Sequence, residues 1–279
     1  MSGADEKLPS TVLPATRIVA VIIIPFLAGA VFLLFGFPRR SGELFAWQID
    51  PPLTAYLLAS AYVGGIWFFV RVARERRWHR VRHGFPAVTV FAGALLVSTL
   101  IHLDKFSSNI FFFTWLALYA TTPFAVALLA WLQRGDDDGL PDPADTRVPR
   151  PLRAGVIVVG TLALLTGAIL FVAPQLVIPV WAWTITPLTA QVVGTVLSLT
   201  GVVAWGMLRD DRWSAFRILF QSQLISLAAI VASLVVAHGD LLWDRPAAYG
   251  FIALVGFAVI GYGALTIAME RRARRGIGR

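Results

Sequence analysis

The sequence predicts an all-α integral membrane protein whose eight transmembrane helices form two parallel tandem four-helix repeats, and three observations carry that prediction. First, the 279 residues are 57% apolar and 14% charged with a mean hydropathy of +0.73, whereas soluble domains average about 25% charged. Second, apolar stretches at about 17 to 37, 52 to 72, 84 to 103, 110 to 132, 153 to 172, 187 to 207, 218 to 237 and 247 to 269 can each cross a hydrocarbon layer of roughly 30 Å at 1.5 Å per residue. Third, the chain repeats itself. Ala46-Trp47-Gln48-Ile49-Asp50-Pro51-Pro52-Leu53-Thr54-Ala55 recurs, one residue shorter, as Ala182-Trp183-Thr184-Ile185-Thr186-Pro187-Leu188-Thr189-Ala190. Arg74, Arg77, Trp78, Arg82 and Phe85 fall on Arg209, Arg212, Trp213, Arg217 and Phe220 at a shift of 135. Four helices per copy bring both copies in from the same side, so the repeat is parallel, not inverted. Strands cross a bilayer only as closed barrels with alternating polarity, and Val19 to Leu27 and Leu162 to Val172 are apolar throughout.

Residues 1–16 are read as a polar tail, 17–132 and 153–269 as the two repeats, and 270–279 as a basic tail. The run from Ile18 to Phe37 is too long for a signal-peptide core and lacks a cleavage-site flank, so the first helix is expected to stay in place. The second and sixth helices open on Asp50 and Thr186, both N-cap residue types, each followed by a proline suited to the first helical position. Trp47, Trp181 and Trp183 precede these starts, where an interfacial belt of indole rings is expected. The functional alternative is that Gly42 to Asp50 and Val177 to Thr186 dip inward and line a pseudo-symmetric pocket.

Between the second and third helices runs Arg71-Val-Ala-Arg-Glu-Arg-Arg-Trp-His-Arg-Val-Arg82, echoed by Arg209 to Arg217. Basic residues around a tryptophan suit anionic lipid headgroups, and the candidates are Arg74, Arg77, Trp78, Arg82, Arg212, Trp213 and Arg217. The loop is too short and too close to the bilayer for a nucleic-acid face. His79 and His83 are spaced i, i+4, but their arginine neighbours repel a metal cation.

The third and seventh helices end on His102-Leu103-Asp104 and His238-Gly239-Asp240. A helix C-terminus favours an imidazolium and disfavours an aspartate, and residues two apart lie about 200° apart around a helix, so each pair converges only where the helix stops between them. These four residues, with Trp47, Trp183 and Asp50, form the candidate ligand-binding set. If they converged they could hold a divalent metal, or two histidines could ligate a haem. The plainer alternative is that they cap helix ends and pair with Lys105 and Arg245. Nothing in the sequence requires a cofactor.

The segment 133–152, rich in proline, glycine and charge, reads as a flexible cytoplasmic linker. Charges are nearly absent within the spans, which argues against a strongly driven ion pump. Gln221, Gln223, Ser98 and Ser233 are the candidates for a polar path; the simpler role for such groups is interhelical hydrogen bonding, with Gly64, Gly65, Gly194, Gly201 and Gly206 allowing close packing.

The net charge of +8 follows from topology. With the N-terminus cytoplasmic, 20 of the 24 basic residues lie on the inner side, and Arg39, Arg40, Lys105 and Arg245 alone lie outside. That is the positive-inside bias, and it puts both termini in the cytoplasm. No cysteine is present, which removes disulfides, thiolate metal sites and cysteine nucleophiles. There is no phosphate loop, nucleophile elbow, His-Glu-x-x-His or catalytic carboxylate pair, so no enzyme is indicated.

The Trp-x-x-Thr-Pro-Leu-Thr-Ala segment and the later Arg-Trp-x-x-x-Arg step resemble a family of uncharacterised bacterial multi-pass membrane proteins with tandem four-helix repeats. The resemblance spans residues 17 to 269 and implies a bacterial plasma membrane location, but no activity; the first copy departs from it at Asp50-Pro51-Pro52. The expected function is a small-molecule or ion permease with an outer-face site between the repeats. The alternatives are a non-catalytic accessory or sensor that binds lipid, a membrane protein partner or a second copy of itself, and a bis-histidine haem or metal protein.

Overall fold

A computed structural model describes residues 11–137, 139, 142 and 145–277. Eight long helices account for most of it: α1 Pro14–Gly36, α2 Pro52–Arg74, α3 Gly84–Ile101, α4 Ile110–Leu132, α5 Arg150–Val172, α6 Pro187–Gly206, α7 Trp213–Val236 and α8 Pro246–Ile277. All eight are long and apolar enough to span a membrane, and no strand beyond isolated bridges occurs among the described residues. The protein is an all-α integral membrane protein. Helix is the form that an apolar run must take in lipid, because every backbone N–H and C=O then finds its partner within the segment.

Chain neighbours pack as the hairpins α1–α2, α3–α4, α5–α6 and α7–α8. The remaining contacts cross the chain: α2 packs against α7, α3 against α6, and α2 touches α6. The most hydrophobic stretches of α2 and α6 are 61% buried, against 11% for that of α8. Thus α2 and α6 form the centre and α8 faces outward.

The α5–α6 contact depends on the absence of side chains. A Cβ on Gly167 would lie 2.5 Å from the Gly194 carbonyl oxygen, a Cβ on Gly194 the same distance from that of Gly167, and a Cβ on Gly201 would lie 2.6 Å from that of Gly160. Small residues that let backbones touch drive association where lipid removes the hydrophobic incentive.

The connecting segments are tied in matched ways. On the face where α1 ends, Ser107 N donates to Ala46 O and Leu242 N to Ala182 O, each at 2.9 Å. On the opposite, arginine-rich face, Val12 N donates to Arg76 O at 3.0 Å and Val148 N to Asp211 O at 2.8 Å.

Two expectations about helix starts and belts change. Thr186 caps α6 as expected, its hydroxyl taking the Thr189 N–H while the Thr189 hydroxyl takes the Thr186 N–H in return. Asp50 does not cap α2. The extra proline moves the helix start one residue on, so that Pro51 occupies the cap position without a side-chain bond and Asp50 accepts from Gln48 Nε2 at 3.0 Å. Nor do Trp47 and Trp183 form a belt, because both are buried within the protein. Trp47 packs on Phe45, Phe106 and Trp115, and Trp183 on Trp181 and Phe251. The segments before α2 and α6 do turn inward, but aromatic rings fill the space.

The segment after α4 is anchored at its described residues. Gln133 is buried and takes the Thr16 hydroxyl at 2.6 Å, and Asp145 accepts from Ser214 N and Oγ at 2.9 and 2.5 Å. Those contacts, together with the ion pairs of Asp137 and Asp142, tie the described residues of this segment to the helix ends around them.

Candidate functional site

The arginine-rich face carries two clusters of charge. In the first, Arg212 pairs with Asp137 at 2.6 Å and Asp210 at 2.8 Å, and Arg82 with Asp137 at 2.5 Å and Asp210 at 3.0 Å. His83 Nε2 lies 3.0 Å from Asp210, and its ring stacks on Phe216. In the second, Arg80 pairs with Asp142 at 2.6 Å and Glu75 at 3.3 Å, Arg77 also pairs with Asp142, and His79 Nε2 lies 3.5 Å from it.

The environment shifts these groups in understandable directions. Burial alone would raise the Asp210 carboxyl, but hydrogen bonds from His83 and Arg212 hold it far below the usual carboxylate range. Arg212 is pushed up by Asp210 and then Asp137. Burial lowers both His79 and His83, against the pull of Asp142 and Asp210. A network with this many partners is structural cement: each buried carboxylate is held by more than one cation, and removing one leaves that charge under-compensated.

This arrangement bears on the expected headgroup contacts. Trp78 and Trp213 are buried, Trp78 against Phe85 and Trp213 against Phe220, with the Trp213 indole donating to Glu270 at 3.2 Å. Arg212 is buried with its carboxylates. All three are thus turned into the protein, Arg212 by Asp137 and Asp210 and the two indoles by their aromatic neighbours. Arg74 and Arg217 are exposed; Arg217 pairs with Glu270 at 2.5 Å. Arg77 and Arg82 are shared with Asp142 and with Asp137 and Asp210.

On the opposite face, the paired His-x-Asp segments diverge in role. Asp240 Oδ2 accepts from Leu53 N at 2.8 Å, capping the start of α2 from a segment 187 residues away. An aspartate disfavoured at the end of α7 is thus placed at the start of another helix, where the dipole favours it. Asp104 is exposed and pairs with Lys105 at 2.9 Å, which holds its carboxyl low. Arg245 donates to the Ile178 and Trp181 carbonyls, not to Asp240. His238 is exposed, with Nδ1 3.1 Å from Val235 O. His102 Nε2 is buried and has no hydrogen-bond partner among the described residues.

A pocket of about 570 Å³ opens here, between the α1–α2 connection and the end of α7. Its chemically active lining is Arg39, Arg40, Tyr56, His238 and Asp240. His102, Asp104, Trp47, Trp183 and Asp50 do not line it, and no group of three or more metal-binding side chains exists among the described residues. Arg40 pairs with Glu43 at 2.9 Å, while the Arg39 guanidinium makes no ion pair among the described residues. Sequence reasoning found His238 and Asp240 but missed Arg39, Arg40 and Tyr56. The available signal was that Arg39 and Arg40 run against the positive-inside bias.

Of the proposed polar path, Gln223 lines the two mid-bundle cavities of about 120 and about 90 Å³, and Gln221, Ser98 and Ser233 do not line these two. Ser233 donates to Ala229 O at 2.7 Å, and the Ser98 hydroxyl is buried without a partner among the described residues. Compared with protein-family models, curated proteins and solved structures, the chain matches none.

Proposed function

We propose that this polytopic membrane protein is a small-molecule permease that takes an anionic solute from the face carrying His238. The pocket walled by Arg39, Arg40 and His238 carries the reading: it gathers three groups able to bear positive charge in a volume fit for a small organic ion, and its one carboxylate, Asp240, is engaged with the start of α2. The guanidinium of the first of the three, Arg39, makes no ion pair among the described residues. We place this face outside and the arginine-rich face in the cytoplasm of a bacterial plasma membrane, on the 20 to 4 division of basic residues.

The two halves are read as a duplicated four-helix unit. In support, replacing each helix by the one four places on converts α1–α2 into α5–α6, α3–α4 into α7–α8 and α2–α7 into α6–α3, all of them packed pairs. The matched loop hydrogen bonds follow the same shift. Many carriers move one such half against the other.

The experiment is uptake of a panel of labelled mono- and dicarboxylates into proteoliposomes. One or more solutes should enter at a saturable rate, and Arg39→Ala with His238→Ala should raise the half-saturating concentration by about tenfold, the worth of one charge-assisted hydrogen bond. No saturable flux of any anion would defeat the reading.

A further inference from the structure

Two cavities lie in the middle of the bundle, of about 120 Å³ and about 90 Å³. They share Ala61, Leu199, Thr200, Gln223, Ser226 and Tyr262, so they adjoin. Apart from Ser222 in the smaller one, the rest of their walls is apolar, and neither is lined by a charged side chain. The larger lies between α5, which packs on α6, and α8, which packs on α7.

Four of the shared residues can hydrogen-bond: Thr200, Gln223, Ser226 and Tyr262. None of their side chains has a hydrogen-bond partner among the described residues. Some polar groups of the spans are engaged, as where the Tyr62 and Tyr119 hydroxyls lie 2.8 Å apart and where Ser222 Oγ, on the wall of the smaller cavity, donates to Gly64 O at 2.6 Å; at this site four unengaged side chains share one space. Leaving a hydroxyl or amide unpaired away from water is costly, and ordinary apolar residues would avoid that cost. Polar groups within membrane spans mark functional sites for that reason.

We infer that this double cavity binds an uncharged amphiphile, an apolar chain or ring carrying a hydroxyl or carbonyl head that the four polar side chains receive. The absence of charge in the walls excludes an ionised head, and the apolar remainder accommodates the tail. This site is independent of the charged pocket near His238.

The test is photolabelling in nanodiscs with two probes of equal length, a diazirine-bearing hexadecanol and a diazirine-bearing hexadecane, with labelled peptides mapped by mass spectrometry. The alcohol should label α6, α7 and α8 saturably, with competition by unlabelled hexadecanol, and the alkane should label lipid-facing surfaces without saturation. Gln223→Leu should cut the saturable labelling by about fivefold, as expected for one lost hydrogen bond. Its thermal midpoint should stay at or above that of the parent, because an unpaired amide has been removed. Should that variant misfold, Thr200→Val and Ser226→Ala carry the same expectation. Equal saturable labelling by both probes would show a site that merely takes hydrocarbon, and no saturable labelling by either would show a cavity holding water or nothing; each result overturns the inference.

Discussion

The starts of α2 and α6 are nearly the same sequence, yet they are finished in different ways. At α6, Thr186 and Thr189 satisfy each other's backbone N–H groups within three residues. At α2 one extra proline has displaced the capping side chain, and the Leu53 N–H is taken by Asp240 from the α7–α8 connection. A local interaction has become a long-range one. The same divergence appears on the arginine-rich face, where Arg212 is buried between Asp137 and Asp210, while Arg77, one copy earlier, is half exposed beside Asp142. Equivalent positions in the two halves therefore carry unequal energies, and the inequality is measurable.

The largest contrast is expected between the two arginines. Arg212→Ala leaves two buried carboxylates to share Arg82 and should destabilise the protein by about 3 kcal/mol, whereas Arg77→Ala should cost under ~1 kcal/mol. Reversible unfolding in mixed micelles gives both values, and equal costs would erase the distinction.

Next come the helix starts. Asp240→Ala removes a charge-assisted bond to Leu53 N and should cost about 1.5 to 3 kcal/mol; Thr186→Ala should cost about 1 kcal/mol. Asp104→Ala, the counterpart of Asp240, should leave the unfolding midpoint where it was. A measurable loss at Asp104 would mean that α6 also borrows its cap.

The smallest effect is on pH dependence. His83 faces Asp210, Arg82 and Arg212, and His79 faces Asp142, Asp137, Arg80 and Arg212. Both histidines are lowered in the folded protein by burial, so the unfolded chain binds protons that the folded one refuses. Their share of stability is present above the ordinary histidine value of about 6.5 and is lost as the pH falls through it. Unfolding midpoints should drop between about pH 7.5 and about pH 5.5, and His83→Gln should flatten the slope. Since residues 79 and 83 correspond to Ser214 and Ile218 in the second copy, this sensitivity belongs to the first half alone.

The eight spans were legible because an apolar run of eighteen or more residues has one stable form in lipid. The start of α6 was legible because Thr186-Pro187 carries its own cap. The start of α2 was not: its cap comes from Asp240, whose place at the end of α7 argued only that an aspartate is unwelcome there. Trp47 and Trp183 misled for a related reason, since an indole beside a helix start reads as a belt until its neighbours are known, and those neighbours, Trp115 and Phe251, are distant in sequence. The anchoring of Asp137, Asp142 and Asp145 was hidden by a composition that matches a linker. Of the pocket, His238 and Asp240 were visible because they recur, whereas Tyr56 lay inside a span and Arg39 and Arg40 have no counterpart.

The cross-packing of α2 with α7 and of α3 with α6 imposes an order on biosynthesis. The ribosome delivers α1 to α4 before the cross-chain partners of α2 and α3 exist. Until α6 and α7 arrive, Gly64 and the Ser60 hydroxyl, which later face α7 through Ser222, Ser226 and Ser233, lie open to lipid or to whatever guards unassembled helices. The finished bundle is therefore a late product, reached only when the last third of the polypeptide slots between helices already inserted.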